Sequence, residues 1–192
     1  MRGPTAGPLV KQQRNLMTEL GAAVAQMVDI PAEPQVVFKA LCQAMSDRRD
    51  GRPVTLSIRP FPETIANSTT GLWLDLEDQD LIVVEENLEP DHQLVVLGHE
   101  LWHMHEGRGG HNHLGGAAVA ARAALIDQVN WPELARHVAA RAHSHQADEV
   151  AAEGFGLLLG SRMKSWLALP GTTRQLDEVA RRINATLGYR QG

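Results

Sequence analysis

Val95-Val96-Leu97-Gly98-His99-Glu100-Leu101-Trp102-His103 carries the pattern HExxH inside an apolar run with helical spacing. On a helix, histidines at i and i+4 share one face, with β-carbons about 5–6 Å apart. From there both imidazoles can reach one ion through bonds of about 2.0–2.1 Å. A glutamate beside the first histidine can take a proton from water held at such an ion, which is the metalloprotease arrangement. The spacing therefore predicts His99 and His103 as metal ligands and Glu100 as a general base.

The helical wheel sharpens this reading. At about 100° per residue, Leu94, Leu97, Leu101 and Met104 form one stripe, and His99 and His103 fall on the opposite side. Packing that stripe into a core leaves both imidazoles aimed away from it. Glu100 lies between the two faces, whereas His105 falls on the apolar stripe and is a poor ligand. The competing interpretation is an ordinary amphipathic helix whose histidines are there by chance.

Upstream, three short segments read as strands. Val54 to Ile58 alternates apolar and polar residues, Gly71 to Leu76 holds Leu72, Trp73 and Leu74, and Leu81 to Glu85 is a third apolar run. The polar turn Glu77-Asp78-Gln79-Asp80 pairs the last two as a hairpin. Before them, Leu16, Leu20, Val24 and Met27 mark a helix from Leu9 to about Val28. Val37, Leu41 and Met45 mark another from about Glu33 to Asp47, with Cys42 buried inside it. Pro90-Asp91 opens the HExxH helix, with acidic residues favourable near its N-terminus.

Downstream, the glycine-rich stretch from Glu106 to Gly116 reads as a loop in which His111 and His113 are solvated. Helices are expected from Ala117 to about Asp127, from Trp131 to about Ala142, and from Ser144 as N-cap to about Leu169. A last one carries Leu176, Val179, Ile183 and Leu187. The fold class is α+β, mainly helical, with a small three-stranded sheet packed on the HExxH helix. Residues 1–8 are read as a disordered lead-in and 9–188 as a single domain.

A catalytic zinc normally takes three protein ligands and keeps a fourth position for water. On the helix from Ser144, His145, Glu149 and Glu153 share one face as candidates for the third. Neighbours at i+4 are offset by about 6 Å along the axis, so only one of them can sit opposite the His pair. The middle position, Glu149, lets the other two flank the ion. Gly156 and Gly160 continue this face without side chains, the pattern of a close approach. Val150, Phe155, Leu158 and Leu159 are assigned to the core. The alternative is a solvated acidic stripe.

Composition narrows the function classes. Eighteen basic against 23 acidic residues give a net charge of −5 without a basic patch, which argues against direct nucleic-acid binding. One cysteine excludes a disulfide framework and a thiolate metal site. No stretch approaches the roughly 18 apolar residues of a membrane span, and no signal peptide is read, so a cytoplasmic location is expected.

The order of helices, small sheet and HExxH, followed by Glu149-Val150-Ala151-Ala152-Glu153-Gly154-Phe155-Gly156 as E-x-x-A-x-x-F, resembles the ImmA/IrrE family of zinc metallopeptidases. Gly71-Leu72-Trp73 matches a strand of its actinobacterial branch, whose members are labelled toxin–antitoxin toxin or regulator components. The resemblance implies a zincin-like domain, a Zn2+ cofactor, and Glu149 as the third ligand. It also implies a protein substrate, a helix-turn-helix repressor, cut by water that Glu100 deprotonates. A sheet edge, expected at Leu81 to Glu85, would hold that substrate as an added strand.

Two departures stand out. Trp102 replaces the usual glycine before the second histidine, which predicts a narrower or differently lined cleft. Ala151-Ala152-Glu153 replaces the usual E-A-N, which keeps Glu153 open as a ligand beside Glu149. A non-catalytic metal-binding module that acts by protein–protein binding is the second functional reading, and Trp102 is the residue that favours it.

Overall fold

The computed structural model describes residues 7–63, 69–76, 78–107 and 146–168. The expected features at His111, His113, Ser144 and His145 lie outside these residues. So do the helices expected around Ala117–Asp127, Trp131–Ala142 and Leu176–Leu187.

Two helices open the chain. Helix α1 spans Pro8–Met27 and buries Leu16, Leu20 and Val24 of the expected stripe, whereas Met27, its fourth member, is exposed at the helix end. Pro8, expected to close the lead-in, instead opens this helix at its first position, where a missing N–H costs nothing. Helix α2 spans Pro34–Arg48 and buries Val37, Phe38, Leu41, Cys42 and Met45. Burial pushes the Cys42 thiol up to about 12, so it behaves as a small apolar side chain. Asp50 and Gly51, both at positive φ, then turn the chain.

Strands β1 (Val54–Arg59), β2 (Gly71–Asp75) and β3 (Asp80–Glu85) form one sheet in the order β1-β3-β2. Strand β3 pairs antiparallel with β2, as the hairpin reading required, and parallel with β1. The expectation that Leu81 to Glu85 forms an edge is therefore wrong. It is the central strand, hydrogen-bonded on both sides and buried along its whole length, the environment its continuous apolar run suits. The outer strands are β1 and β2.

Asp80, expected in the turn, starts β3 and is fully buried. Its carboxylate accepts from Trp73 Nε1 at 2.8 Å and from Arg52 Nε at 2.9 Å, with Arg49 Nη2 at 3.2 Å. Arg52 also donates to Asp75 Oδ1 and to the carbonyls of Leu76 and Gln79. Arg49 donates to the Met104 carbonyl, which ties this cluster to the next helix.

That helix, α3, spans Pro90–Glu106 and ends at Gly107 in the left-handed conformation. Leu94, Leu97, Leu101 and Met104 are all buried, so the predicted stripe faces the core. Gln93 Nε2 donates to the carbonyls of Glu85 and Glu86, fixing the start of α3 to the end of β3. Helix α4 spans Gln146–Met163, shorter than the expected run to Leu169, because a 3-10 turn at Lys164–Trp166 ends it. The turn is held by Ala32 N–H donating to the Trp166 carbonyl and Ala168 N–H to the Ala32 carbonyl. The described residues are thus α+β and mostly helical, and no helix among them is long and apolar enough to cross a membrane.

Removing the Asp80 carboxylate takes the acceptor from Trp73 Nε1 and Arg52 Nε and the counter-charge from Arg49 at once. Asp80→Ala is expected to lower the stability measured by urea unfolding by about 3 kcal/mol, far more than removal of the exposed Asp47 carboxylate.

Candidate metal centre

Helices α3 and α4 run antiparallel, and glycines let them approach closely. A β-carbon on Gly156 would lie 2.5 Å from the Val95 carbonyl oxygen and 3.2 Å from His99 N. One on Gly160 would lie 2.5 Å from Val95 Cγ2, and one on Gly98 would lie 3.0 Å from Gly156 Cα. No real side chain tolerates the first of these contacts, so backbone meets backbone here. Further along, Lys164 Nζ meets Asp91 Oδ2 at 2.6 Å in the same register. That contact, a hydrogen bond first of all, holds the Asp91 carboxyl below its ordinary range.

The same register carried two turns beyond Gly156 brings Glu149 to the two histidines. His99 Nε2 lies 3.4 Å from Glu149 Oε2, and His103 Nε2 lies 3.5 Å from Glu149 Oε1. The two imidazole Nε2 atoms are 3.0 Å apart, with the rings edge to face. Tetrahedral coordination with bonds of about 2.0–2.1 Å sets ligand atoms about 3.3–3.4 Å apart. Two of the three edges match, and the third needs a few tenths of an ångström. The donor set of two imidazoles and one carboxylate therefore fits a metal ion, and it is the one such cluster among the described residues.

Exposure across the cluster is graded. The His103 side chain is 7% exposed, His99 27% and Glu149 58%, so the site is anchored in the protein and opens toward solvent at the carboxylate. Glu153 is exposed on α4 and is not part of the cluster, and His145 lies outside the described residues. His105 is turned elsewhere, as expected from the wheel. It lies against Trp102, Gln12 and Arg48, and its pKa is lowered, first by burial and then by the Arg48 charge.

Glu100 is buried, and its Oε2 has no hydrogen-bond partner among the described residues. A buried carboxylate oxygen without a partner is costly, and such atoms occur where a site is completed by something else. The side chain rests against β2, where a β-carbon on Gly71 would lie 3.1 Å from Glu100 Oε1. Trp102 does not line the cleft. It is 1% exposed and packs on Phe155, with ring centroids 5.3 Å apart, so the expected narrowing is absent at this residue. Phe155 and Leu159 are core and Leu158 is half-buried, but Val150, expected to join them, is 61% exposed.

Sequence reasoning missed Gly71 and Gly98 as parts of the site. The available signal was a glycine inside a strand and another inside a helix, both of which mark close approach. No protein-family model, curated protein or solved structure matches the chain.

The glycine contact has a measurable consequence. Gly156→Val is expected to cost about 1–3 kcal/mol in urea unfolding and, by pushing α4 off α3, to weaken metal binding. The same substitution at exposed Gly107 should leave metal affinity unchanged, although its positive φ strains the backbone.

Proposed function

We propose that this chain is a zinc-dependent peptidase of the HExxH type, with a zincin-like arrangement of helix and sheet. The observation that carries this is the convergence of His99, His103 and Glu149 beside a buried glutamate whose Oε2 has no partner among the described residues. Two nitrogen ligands and one carboxylate form a donor set suited to zinc, with a fourth position left for water or substrate. When bound, zinc would supply an acidified water and polarise the substrate carbonyl.

The protein's own residues do the rest. His99 and His103 would hold the ion from one helix, and Glu149 would close the set from a second. Glu100 accepts a proton from the attacking water at its free oxygen and delivers it to the departing amine. Burial on the β2 side keeps this carboxylate from wandering into solvent. With β3 central, the strand beside the site is β2, so an extended peptide would lie along that outer strand.

The substrate class comes from the sequence resemblance. HELWH together with E-x-x-A-x-x-F supports a helix-turn-helix regulator as the protein cut, within a toxin–antitoxin or related regulatory pair in the cytoplasm. The non-catalytic reading leaned on Trp102, and that side chain lies in the core.

Glu100→Gln is the direct test of the reaction. With candidate helix-turn-helix regulators as substrates and mass spectrometry of fragments as readout, cleavage should fall by about a hundredfold or more, while zinc content stays at the wild-type level. Wild-type cleavage by Glu100→Gln would remove Glu100 from the role of base. Absence of fragments from the wild-type protein with every regulator tried would favour the binding-module reading.

A further inference from the structure

The wall behind Glu100 is a glycine whose backbone does not need to be one. Gly71 opens β2, and among the described residues the glycines at positive φ are Gly51 and Gly107. Glycine in a strand weakens it, because it adds backbone entropy and packs nothing. What excludes a side chain is space. A β-carbon at Gly71 would lie 2.3 Å from Val96 Cγ1, 3.1 Å from Glu100 Oε1 and 3.4 Å from Glu100 Cγ.

These two neighbours respond differently to crowding. Val96 is β-branched on a helix, with one strongly preferred χ1 rotamer, so its methyl does not turn away freely. Glu100 has a longer chain and an oxygen without a partner among the described residues, so it is the group that moves. Val96 and Glu100 are one turn apart on α3, and the face they present to β2 adjoins the one bearing His99.

We propose that Gly71 is a positioning residue for Glu100: the missing side chain makes the recess in which the carboxylate is held beside the His99–His103 face. This rests on the reading of Glu100 as the base. A β-carbon at position 71 would displace the carboxylate without touching His99, His103 or Glu149, so proton transfer would suffer while metal binding would not.

The test isolates the carboxylate contact by working in Val96→Ala, which removes the clashing methyl. Gly71→Ala/Val96→Ala is compared with Val96→Ala for zinc content, urea midpoint, and kcat and KM on denatured casein as a general protein probe. Zinc content and KM should be unchanged, and kcat should fall about tenfold or more, as expected for a misplaced catalytic group. Adding Glu100→Ala to both proteins should abolish the urea-midpoint loss caused by Gly71→Ala, because the contact then has no partner. An unchanged kcat, or a midpoint loss of equal size with and without Glu100, would overturn the proposal. If Val96→Ala and the wild type leave casein intact, the peptidase reading is what suffers. The urea cycle still decides whether Gly71 and Glu100 touch.

Discussion

The close antiparallel packing of α3 on α4 is the constraint on which the site depends. Neither helix alone holds three ligands: α3 supplies two imidazoles on one face and α4 one carboxylate. Their ligand atoms meet within 4.8 Å because Gly98, Gly156 and Gly160 remove the side chains that would keep the helices apart. The contact of Gly156 with the Val95 carbonyl fixes the register, and the Asp91–Lys164 pair sits at its far end. Fixed register is what selects Glu149. Glu153, one turn along the same helix, is exposed and outside the cluster.

A second constraint comes from the sheet. Strand β2 must lie close enough to α3 to wall in Glu100, and its position is set by the buried Asp80 cluster. Trp73, Arg49 and Arg52 all converge on that carboxylate, and Arg49 reaches on to the Met104 carbonyl near the end of α3. A charge buried at the start of the central strand is tolerable because it is paired and fully hydrogen-bonded. The result links the strand that confines Glu100 to the helix that carries it.

Much of this was legible in residue spacing, and the failures have physical reasons. The stripe Leu94, Leu97, Leu101, Met104 oriented α3, since helical period and burial are one constraint read twice. The approach of a second helix at Gly156 and Gly160 was legible for the same reason. Strand order was not, because periodicity says which residues pair with a core and nothing about which strand lies between the others. Hence the sequence alone does not distinguish Leu81 to Glu85 as an edge from a central strand, although its unbroken apolar run suits the centre. Asp80 has the sequence signature of a turn because a polar residue beside Glu77, Asp78 and Gln79 looks solvated. Its partners come from Arg49, Arg52 and Trp73, remote enough that no local pattern reveals them. Sequence position next to His103 suggests that Trp102 lines the cleft, but adjacent residues on a helix point about 100° apart, and the side chain packs on Phe155 instead.

The central claim is that α3 and α4 together build one three-ligand metal site. Zinc content of untagged protein, purified without chelator and measured by elemental analysis, tests it most directly across Glu149→Ala, Glu153→Ala and the wild type. About one zinc per chain in the wild type and in Glu153→Ala, with a large loss in Glu149→Ala, is the predicted result. A metal-free wild type would contradict the site itself. Loss in Glu153→Ala with retention in Glu149→Ala would move the third ligand one turn along α4 and contradict the register described above.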